Sequence, residues 1–249
     1  MKTVLLALLV LALAACTPPV RSPLAQWEAS PNHNARGPII VVLHFTSQDS
    51  VAESLHTLRT RNSGGPVSAH YLIGADGRIY QLVSEDRRAW HAGPGRWGTI
   101  TDLNSASIGI ELDNDGVEPY PPAQFEALVK LLEDVSARHG IPRRQVIGHS
   151  DLAPDRKIDP GKHFPWQALA QRGFGAWPVD RGEPPPGYDP MAALACFGYP
   201  MADPAAAIRA FHLRFRARDD LPAQLDAEDA RILHGLDASA DPKAALACL

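Results

Sequence analysis

The sequence predicts an α/β fold: a mixed central β-sheet flanked by helices, followed by a small all-α unit at the C-terminus. Three observations carry this expectation. Short apolar runs of strand length ("PIIVVLHFT", "SIGIEL", "QVIGH") are separated by segments of helical period. One adjacent pair of strand-like runs is joined by a tight turn at Asp76-Gly77, which gives an antiparallel pair inside a sheet otherwise built by crossovers. The character of the chain then changes after Trp177, where "PVDRGEPPPGYDP" reads as a linker into three short helical patterns.

The chain has 249 residues, of which 45% are hydrophobic, an ordinary globular composition, so disorder is not the default. The formal net charge is -4 and no basic run stands out, so nucleic acid is not expected as a partner. The apolar run Val4 to Ala15 follows a single lysine. A bilayer span needs about 20 apolar residues, so this run reads as the core of a secretory signal peptide rather than a membrane helix. A buried helix is the other reading of the same residues. The tail Leu13-Ala14-Ala15-Cys16 resembles a bacterial lipobox, in which the cysteine is lipidated and becomes the first mature residue. That resemblance implies a signal peptide over 1–15, a lipid anchor at Cys16 holding the chain on a membrane, and a tether over 16–36. Thr17, not aspartate, follows the cysteine, which implies the outer membrane, facing the periplasm. An oxidising compartment permits a Cys196–Cys248 disulfide; two separate buried thiols are the alternative. The chain has no C-x-x-C pair to suggest a cysteine zinc site.

In chain order, "PIIVVLHFT" is a strand ending in His44. In "DSVAESLHTLRTRNSGG", Ser50 and Glu53 match a capping box and Val51, Leu55 and Leu58 share a helical face, with Gly64 or Gly65 as the expected stop. "HYLIGADGRIYQLV" supplies the two strands around Asp76-Gly77. In "SIGIEL", Ile108, Ile110 and Leu112 alternate with Ser107, Gly109 and Glu111. Residues 122–139 place Phe125, Leu128, Val129, Leu132 and Val135 at helical spacing, and Gly140 closes the helix. "QVIGH" is a short strand ending in His149. Beyond the linker, Asp203-Pro204 opens a helix carrying Ile208, Phe211, His212 and Phe215. The partition is 37–178 for the sheet-containing domain, 179–187 for the linker and 188–249 for the helical domain.

Ten histidines are present. His56 and His139 fall in helices and read as partly exposed; His212 lies on an apolar stripe and reads as a core histidine. His44 and His149 differ, because each ends a strand where side chains emerge at the sheet's edge. Asp159 adds a carboxylate in the loop "GHSDLAPDRKIDPG", whose prolines and glycines forbid a long helix or continuous strand. Two imidazoles and one carboxylate make a catalytic zinc set, leaving a fourth tetrahedral position open. "IDPG" is equally a turn sequence, and one residue can serve both ends. Glu111 faces either solvent or a cleft; in a cleft it is a candidate general base for a water at the metal. Lys157 is either a solvated loop lysine or, beside a zinc at His149 and Asp159, a group that stabilises an oxyanion.

These residues sit in motifs that resemble a known family. "VVLHFT", "SAHYLIGADGRIYQLV", "RAWHAGPGRWG", "LNSASIGIELDN", "VIGHSDLAPDRKIDPG" and "FPWQALAQRGFGAWP", spanning about 38–178, resemble the zinc-dependent N-acetylmuramoyl-L-alanine amidases of the amidase-2 type, related to peptidoglycan recognition proteins. Within that family the chain resembles the AmiD-like outer-membrane lipoprotein amidases. "ACFGYPMADPAAAIRAFHLRFR" more weakly resembles the C-terminal peptidoglycan-binding modules of that branch. The resemblance implies one Zn2+ per chain on His44, His149 and Asp159, with Glu111 as catalytic base and Lys157 as oxyanion stabiliser. It implies hydrolysis of the amide joining N-acetylmuramic acid to L-alanine, in peptidoglycan or muropeptides. His70, His91 and Asn104 fall in family motifs, where they either shape the substrate groove or pack. A non-catalytic recognition protein would lack part of the ligand set. A stem-cutting peptidase with an H-E-x-x-H helix is not indicated, because that signature is absent.

Overall fold

The computed structural model describes residues 21–35 and 37–238. The strands are β1 (Gln26–Trp27), β2 (His33–Ala35), β3 (Ile40–Phe45), β4 (Arg61–Asn62), β5 (Gly65–Pro66), β6 (Tyr71–Ile73), β7 (Ile79–Gln81), β8 (Arg87–Ala89), β9 (Ser107–Leu112) and β10 (Val146–Gly148). The helices are α1 (Val51–Arg59), α2 (Leu103–Ala106), α3 (Pro122–His139), α4 (His149–Leu152), α5 (Trp166–Gln171), α6 (Pro190–Phe197), α7 (Pro204–Phe215) and α8 (Ala227–Ala238). Six strands form one sheet in the order β1-β7-β6-β9-β3-β10. Only the β6–β7 pair, turned at Asp76-Gly77, is antiparallel. The mixed sheet expected from sequence is therefore present.

Both faces of the central strands are covered, which is why β3 reads as an unbroken apolar run. On one face Val41, Leu43, Ile108 and Ile110 pack against Leu128, Leu132 and Val135 of α3. On the other, Ile40, Val42 and Ile147 pack against Leu194, Phe211, Phe215 and Leu233 of the C-terminal helices. The three helices after the linker thus share a core with the sheet.

Helix α3 occupies the stretch marked by its sequence signals, with proline at its first turn and Gly140 closing it at φ 65°. Helix α1 is capped as expected, Ser50 Oγ accepting from Glu53 N at 3.2 Å. Its end is not where the glycines suggested. It stops at Arg59; Gly64 instead lies in the turn of the β4–β5 hairpin and Gly65 opens β5, with Asn62 Oδ1 accepting from Gly64 N at 2.8 Å.

The tether reading also needs correction where it can be seen. Residues 21–35 are tied into the fold: β1 joins the sheet beside β7, β2 and β8 form a separate two-stranded sheet, and Ser22 Oγ donates to Asp134 Oδ2 of α3 at 2.7 Å. An edge strand of two residues has no periodicity to read. Residues 1–15, Cys16 and Cys248 lie outside the described residues. Cys196 is disulfide-bonded. No helix of the described residues is long and apolar enough to cross a membrane.

Candidate metal centre and active site

The site forms where three adjacent parallel strands end, the usual place for ligands on such sheets. His44 of β3 stands directly beside Glu111 of β9 in register. Side chains of register partners share a face, so the alternation that buries Leu43 and Ile110 under α3 sends His44 and Glu111 to the opposite face. Gly148 pairs with Leu43, and one residue further on the chain delivers His149 to the same side. His149 is not the last residue of its strand, as the sequence suggested, but the first of the single-turn helix α4.

The loop then returns Asp159. Ser150 N donates to Asp159 O at 2.8 Å, and Tyr120 Oη donates to Pro160 O at 2.8 Å. The Asp159–Pro160 peptide bond is cis. A side chain on Gly148 would come within 2.8 Å of Pro160, so the close packing of the two loop ends requires a glycine there.

His44 Nδ1, His149 Nδ1 and Asp159 Oδ2 converge. The two nitrogens are 2.9 Å apart, and the carboxylate oxygen is 2.9 Å from the first and 3.0 Å from the second. All three residues are buried. Their remaining polar atoms fix the tautomers. His149 Nε2 faces Ala92 O at 2.9 Å, which can only accept, so Nε2 carries the proton. Ser107 Oγ donates to Leu103 O at 2.5 Å, so it accepts from His91 Nε2 at 3.2 Å. His91 Nδ1 is then an acceptor, and His44 Nε2 donates to it at 2.9 Å. Both Nδ1 atoms therefore present lone pairs toward a carboxylate oxygen with no proton to share.

Burial, reinforced by neighbouring His149, lowers the His44 pKa to about 4, so the ring is neutral at pH 7. Burial opposes ionisation of Asp159, and its carboxyl is held far below the usual range only by positive charge or N–H at the His149 and His44 rings, a role that a bound cation fills when both Nδ1 atoms are unprotonated. Three converging lone-pair donors of this kind fit a bound cation, and two nitrogens with one oxygen suit zinc.

Glu111 is buried, and its Oε2 has no hydrogen-bond partner among the described residues. Burial, then the Asp159 charge, raises its pKa well above the ordinary value, with Lys157 pulling the other way. Lys157 is half-buried and, with Glu111 and the three converging residues, lines a cavity of about 220 Å³.

The three residues expected at the groove separate. His91 borders this cavity and supports His44. Gly109 makes room for it, since a Cβ there would lie 2.5 Å from the His91 ring. His70 is fully buried and bonded to backbone on both sides, Nδ1 accepting from Gly109 N at 2.9 Å and Nε2 donating to Arg87 O at 3.0 Å. Asn104 Oδ1 accepts from His91 N and Ala92 N at 3.0 and 2.8 Å. His70 and Asn104 thus order the backbone around the site and do not line the cavity. His212 is a core histidine, its Nε2 bonded to Asp229 at 2.8 Å.

Other contributors carried no sequence signal. Asp151, two residues after His149, is completely buried. It accepts from Gly148 N at 2.8 Å, Tyr199 Oη at 2.6 Å and Arg214 Nη1 at 2.5 Å, the last two from the C-terminal unit. Arg156 donates to Ala92 O at 2.6 Å, the carbonyl that orients His149. Only proximity in the fold reveals these partners.

A family model described as N-acetylmuramoyl-L-alanine amidase, Amidase_2, matches residues 34–162. The chain is 45% identical over 155 residues to the N-acetylmuramoyl-L-alanine amidase AmiD of Escherichia coli, covering 56% of this chain and 54% of that protein. It is 43% identical over 100 residues to the 1,6-anhydro-N-acetylmuramyl-L-alanine amidase AmpD of Enterobacter cloacae, covering 40% of this chain and 54% of that protein. The chain thus spans about half the length of the curated relatives it matches. Among solved structures, E. coli AmiD with anhydro-N-acetylmuramic acid-L-Ala-D-gamma-Glu-L-Lys superposes with a TM-score of 0.70 at 37% identity, covering 81% of this chain and 89% of that one. AmpDH3 of Pseudomonas aeruginosa with an anhydromuramic pentapeptide superposes at 0.69 and 35%, covering 82% and 93%. With more than half of its length matched by the family model and its fold shared with these relatives, the chain belongs to the Amidase_2 family of N-acetylmuramoyl-L-alanine amidases.

Proposed function

We propose that this chain is a zinc-dependent amidase that hydrolyses the bond between N-acetylmuramic acid and L-alanine in peptidoglycan or muropeptides. The observation that carries the reading is the convergence of His44 Nδ1, His149 Nδ1 and Asp159 Oδ2 beside Glu111, whose Oε2 has no hydrogen-bond partner among the described residues. Zinc held by those three residues would supply Lewis acidity toward a carbonyl oxygen and a water. Substrates of the kind bound by E. coli AmiD, a muramic acid carrying L-Ala-D-γ-Glu-L-Lys, are the expected class.

In this reading Glu111 is the general base. It takes a proton from the attacking water and returns it to the departing amino nitrogen of L-alanine. Burial and the nearby Asp159 charge raise its proton affinity, as a two-way carrier requires. The Lys157 ammonium stabilises negative charge as it develops on the carbonyl oxygen. His91 acts through His44 as a positioning residue, holding the ring with Nδ1 directed inward.

The rest of the reading comes from sequence. Cys16 carries a lipid anchor, residues 1–15 are removed, and the enzyme faces the periplasm from the outer membrane. Residues 37–178 carry the chemistry, and 188–249 form a wall-associated helical unit joined through 179–187.

Mass spectrometry of products from defined muropeptides tests the scissile bond. Release of the intact stem peptide is expected, abolished by a chelator and restored by zinc. Unchanged cleavage with metal removed, or a cut within the stem, would overturn it.

A further inference from the structure

The two histidines of the cluster come from different elements, yet the groups that orient them belong to consecutive residues. His44 Nε2 donates to His91 Nδ1 at 2.9 Å, and His149 Nε2 donates to Ala92 O at 2.9 Å. Each bond does two things to its ring. It places the proton on Nε2, and it selects one of the two ring orientations about the Cβ–Cγ bond. A half-turn of either ring would bring Cδ2 to the cluster in place of Nδ1, and carbon has no lone pair to offer. The dipeptide His91-Ala92 therefore keeps both lone pairs directed at the Asp159 carboxylate, across rings whose centroids are 4.5 Å apart.

The dipeptide is itself held by two residues. Asn104 of α2 is 8% exposed, and its Oδ1 accepts from both N–H groups, His91 N at 3.0 Å and Ala92 N at 2.8 Å. Arg156 comes from the loop that carries Lys157 and Asp159. Its Nη2 donates to Ala92 O at 2.6 Å and its Nε to Pro94 O at 3.1 Å. Ala92 O thus receives two donors, His149 Nε2 and the guanidinium, one for each lone pair. Further along the same segment, Arg96 N donates to Leu152 O at 2.8 Å, which ties it to the end of α4. Neither Asn104 nor Arg156 lines the metal-centre cavity.

We propose that His91-Ala92 is a single bracket for both imidazoles, and that Asn104 and Arg156 are positioning residues acting through it. Asn104 fixes where the bracket lies, and Arg156 fixes the direction of its carbonyl. A disturbance at either reaches both histidines, although neither residue is hydrogen-bonded to them. Because the bracket is shared, the two effects overlap: once one hold is lost, losing the other matters less. The consequence for metal affinity rests on the zinc reading above; the consequence for the ring tautomers does not.

The test uses the full-length protein with Asn104→Ala, Arg156→Ala, both together, and the conservative Asn104→Asp and Arg156→Lys. In the metal-free protein, long-range proton–nitrogen NMR correlations should show His44 and His149 in the Nε2–H form in wild type and mixed tautomers in each alanine variant. Zinc affinity, measured by competition against a chromophoric chelator, should fall roughly 10- to 100-fold in each. Asn104→Asp keeps the double acceptor and should recover most of the loss; Arg156→Lys keeps one donor and should recover part. The double variant should lose less than the product of the two single losses. Asn104→Ser takes the place of Asn104→Ala if the latter does not fold. Mixed tautomers in wild type, or unaltered tautomers or unaltered zinc affinity in either single variant, would overturn the proposal. So would a double loss equal to that product, or a lower melting temperature with the tautomers unaltered, which is the result of a purely structural role. Should wild type bind no zinc, the zinc reading falls and the tautomers alone judge the bracket.

Discussion

Replacing Arg214 by methionine should loosen the loop that carries His149 and Asp159 from a helix that contributes no residue to their cluster. Arg214 and Asp151 are each only 1% exposed at the side chain. The guanidinium also stacks 4.3 Å from the Trp166 ring, and Tyr199 and Gly148 complete the carboxylate's shell. Burial, with Asp151 alongside, pushes the Tyr199 phenol far up, so it remains a donor at any working pH. Removing one partner of a buried ion pair costs about 3–5 kcal/mol, because the other charge stays behind. Methionine recovers packing but not charge, and two hydrogen bonds to Asp151 survive, so the lower end, ~3 kcal/mol, is expected. For a chain of this size that lowers the melting temperature of the metal-free protein by about 6–12 °C. Because Asp151 is two residues from His149 and bonded to the residue before it, zinc affinity should fall roughly 10- to 100-fold as well. The assays are thermal melts in chelator and zinc competition against a chromophoric chelator. Asp151→Asn/Arg214→Met removes both charges and should be less destabilised than the sum of the single variants. An Arg214→Met protein with unchanged melting and unchanged zinc affinity would refute the reasoning. So would a double variant equal to that sum.

Glu111→Ala should retain stoichiometric zinc by elemental analysis while hydrolysis falls by about 10²–10⁴, the usual contribution of a general base; substantial remaining activity would remove Glu111 from that role. His91→Phe should weaken zinc binding by roughly 10- to 100-fold, since His44 Nε2 loses its acceptor, and unchanged affinity in competition titrations would argue against the tautomer chain. Glu85 gives a pH prediction away from the site. Burial opposes its ionisation, but Arg138, His139 and Tyr71 together hold its pKa at about 2, below an unfolded value near 4.5. Its contribution is thus complete above about pH 4.5 and is lost as pH falls toward 2; the gap of ~2.5 units corresponds to about 3 kcal/mol. Glu85→Gln should be less stable than wild type in urea at pH 7, with the difference closing below about pH 3; a pH-independent difference would mean that the loss is packing alone.

How far the sequence carried depended on the range of the physics. Helix α3 was legible at both ends because Pro122 and Gly140 act on their own backbone. The alternation in "SIGIEL" correctly set Glu111 apart from Ile110, since a strand's two faces are a local property. Gly64 and Gly65 misled, because a glycine pair marks a turn without saying whether a helix or a hairpin precedes it. His70 lies in a family motif, and sequence left it between shaping the groove and packing, because its backbone partners, Gly109 N and Arg87 O, come from two other strands. Asp151 and Arg214 are 63 positions apart, and a single long-range ion pair leaves no periodic trace.

The position of the site follows from which face each helical layer covers. Helix α3 seals the face carrying Val41, Leu43 and Ile110. The opposite face is sealed by the C-terminal helices at Ile40, Val42 and Ile147, and the next inward residue along β3 on that face is His44. Had those helices reached one residue further, the strand ends would be buried under apolar side chains and no ligand could enter. Had they been absent, Val42 and Ile147 would face water, and Asp151 would lose two of its three partners. The extent of the C-terminal unit therefore decides both how deep the His44, His149 and Asp159 cluster lies and how firmly its loop is held. On this account, shaving α7 or α8 without touching any ligand should first loosen His149 and only then unfold the sheet, so zinc affinity should fall before the melting transition loses cooperativity.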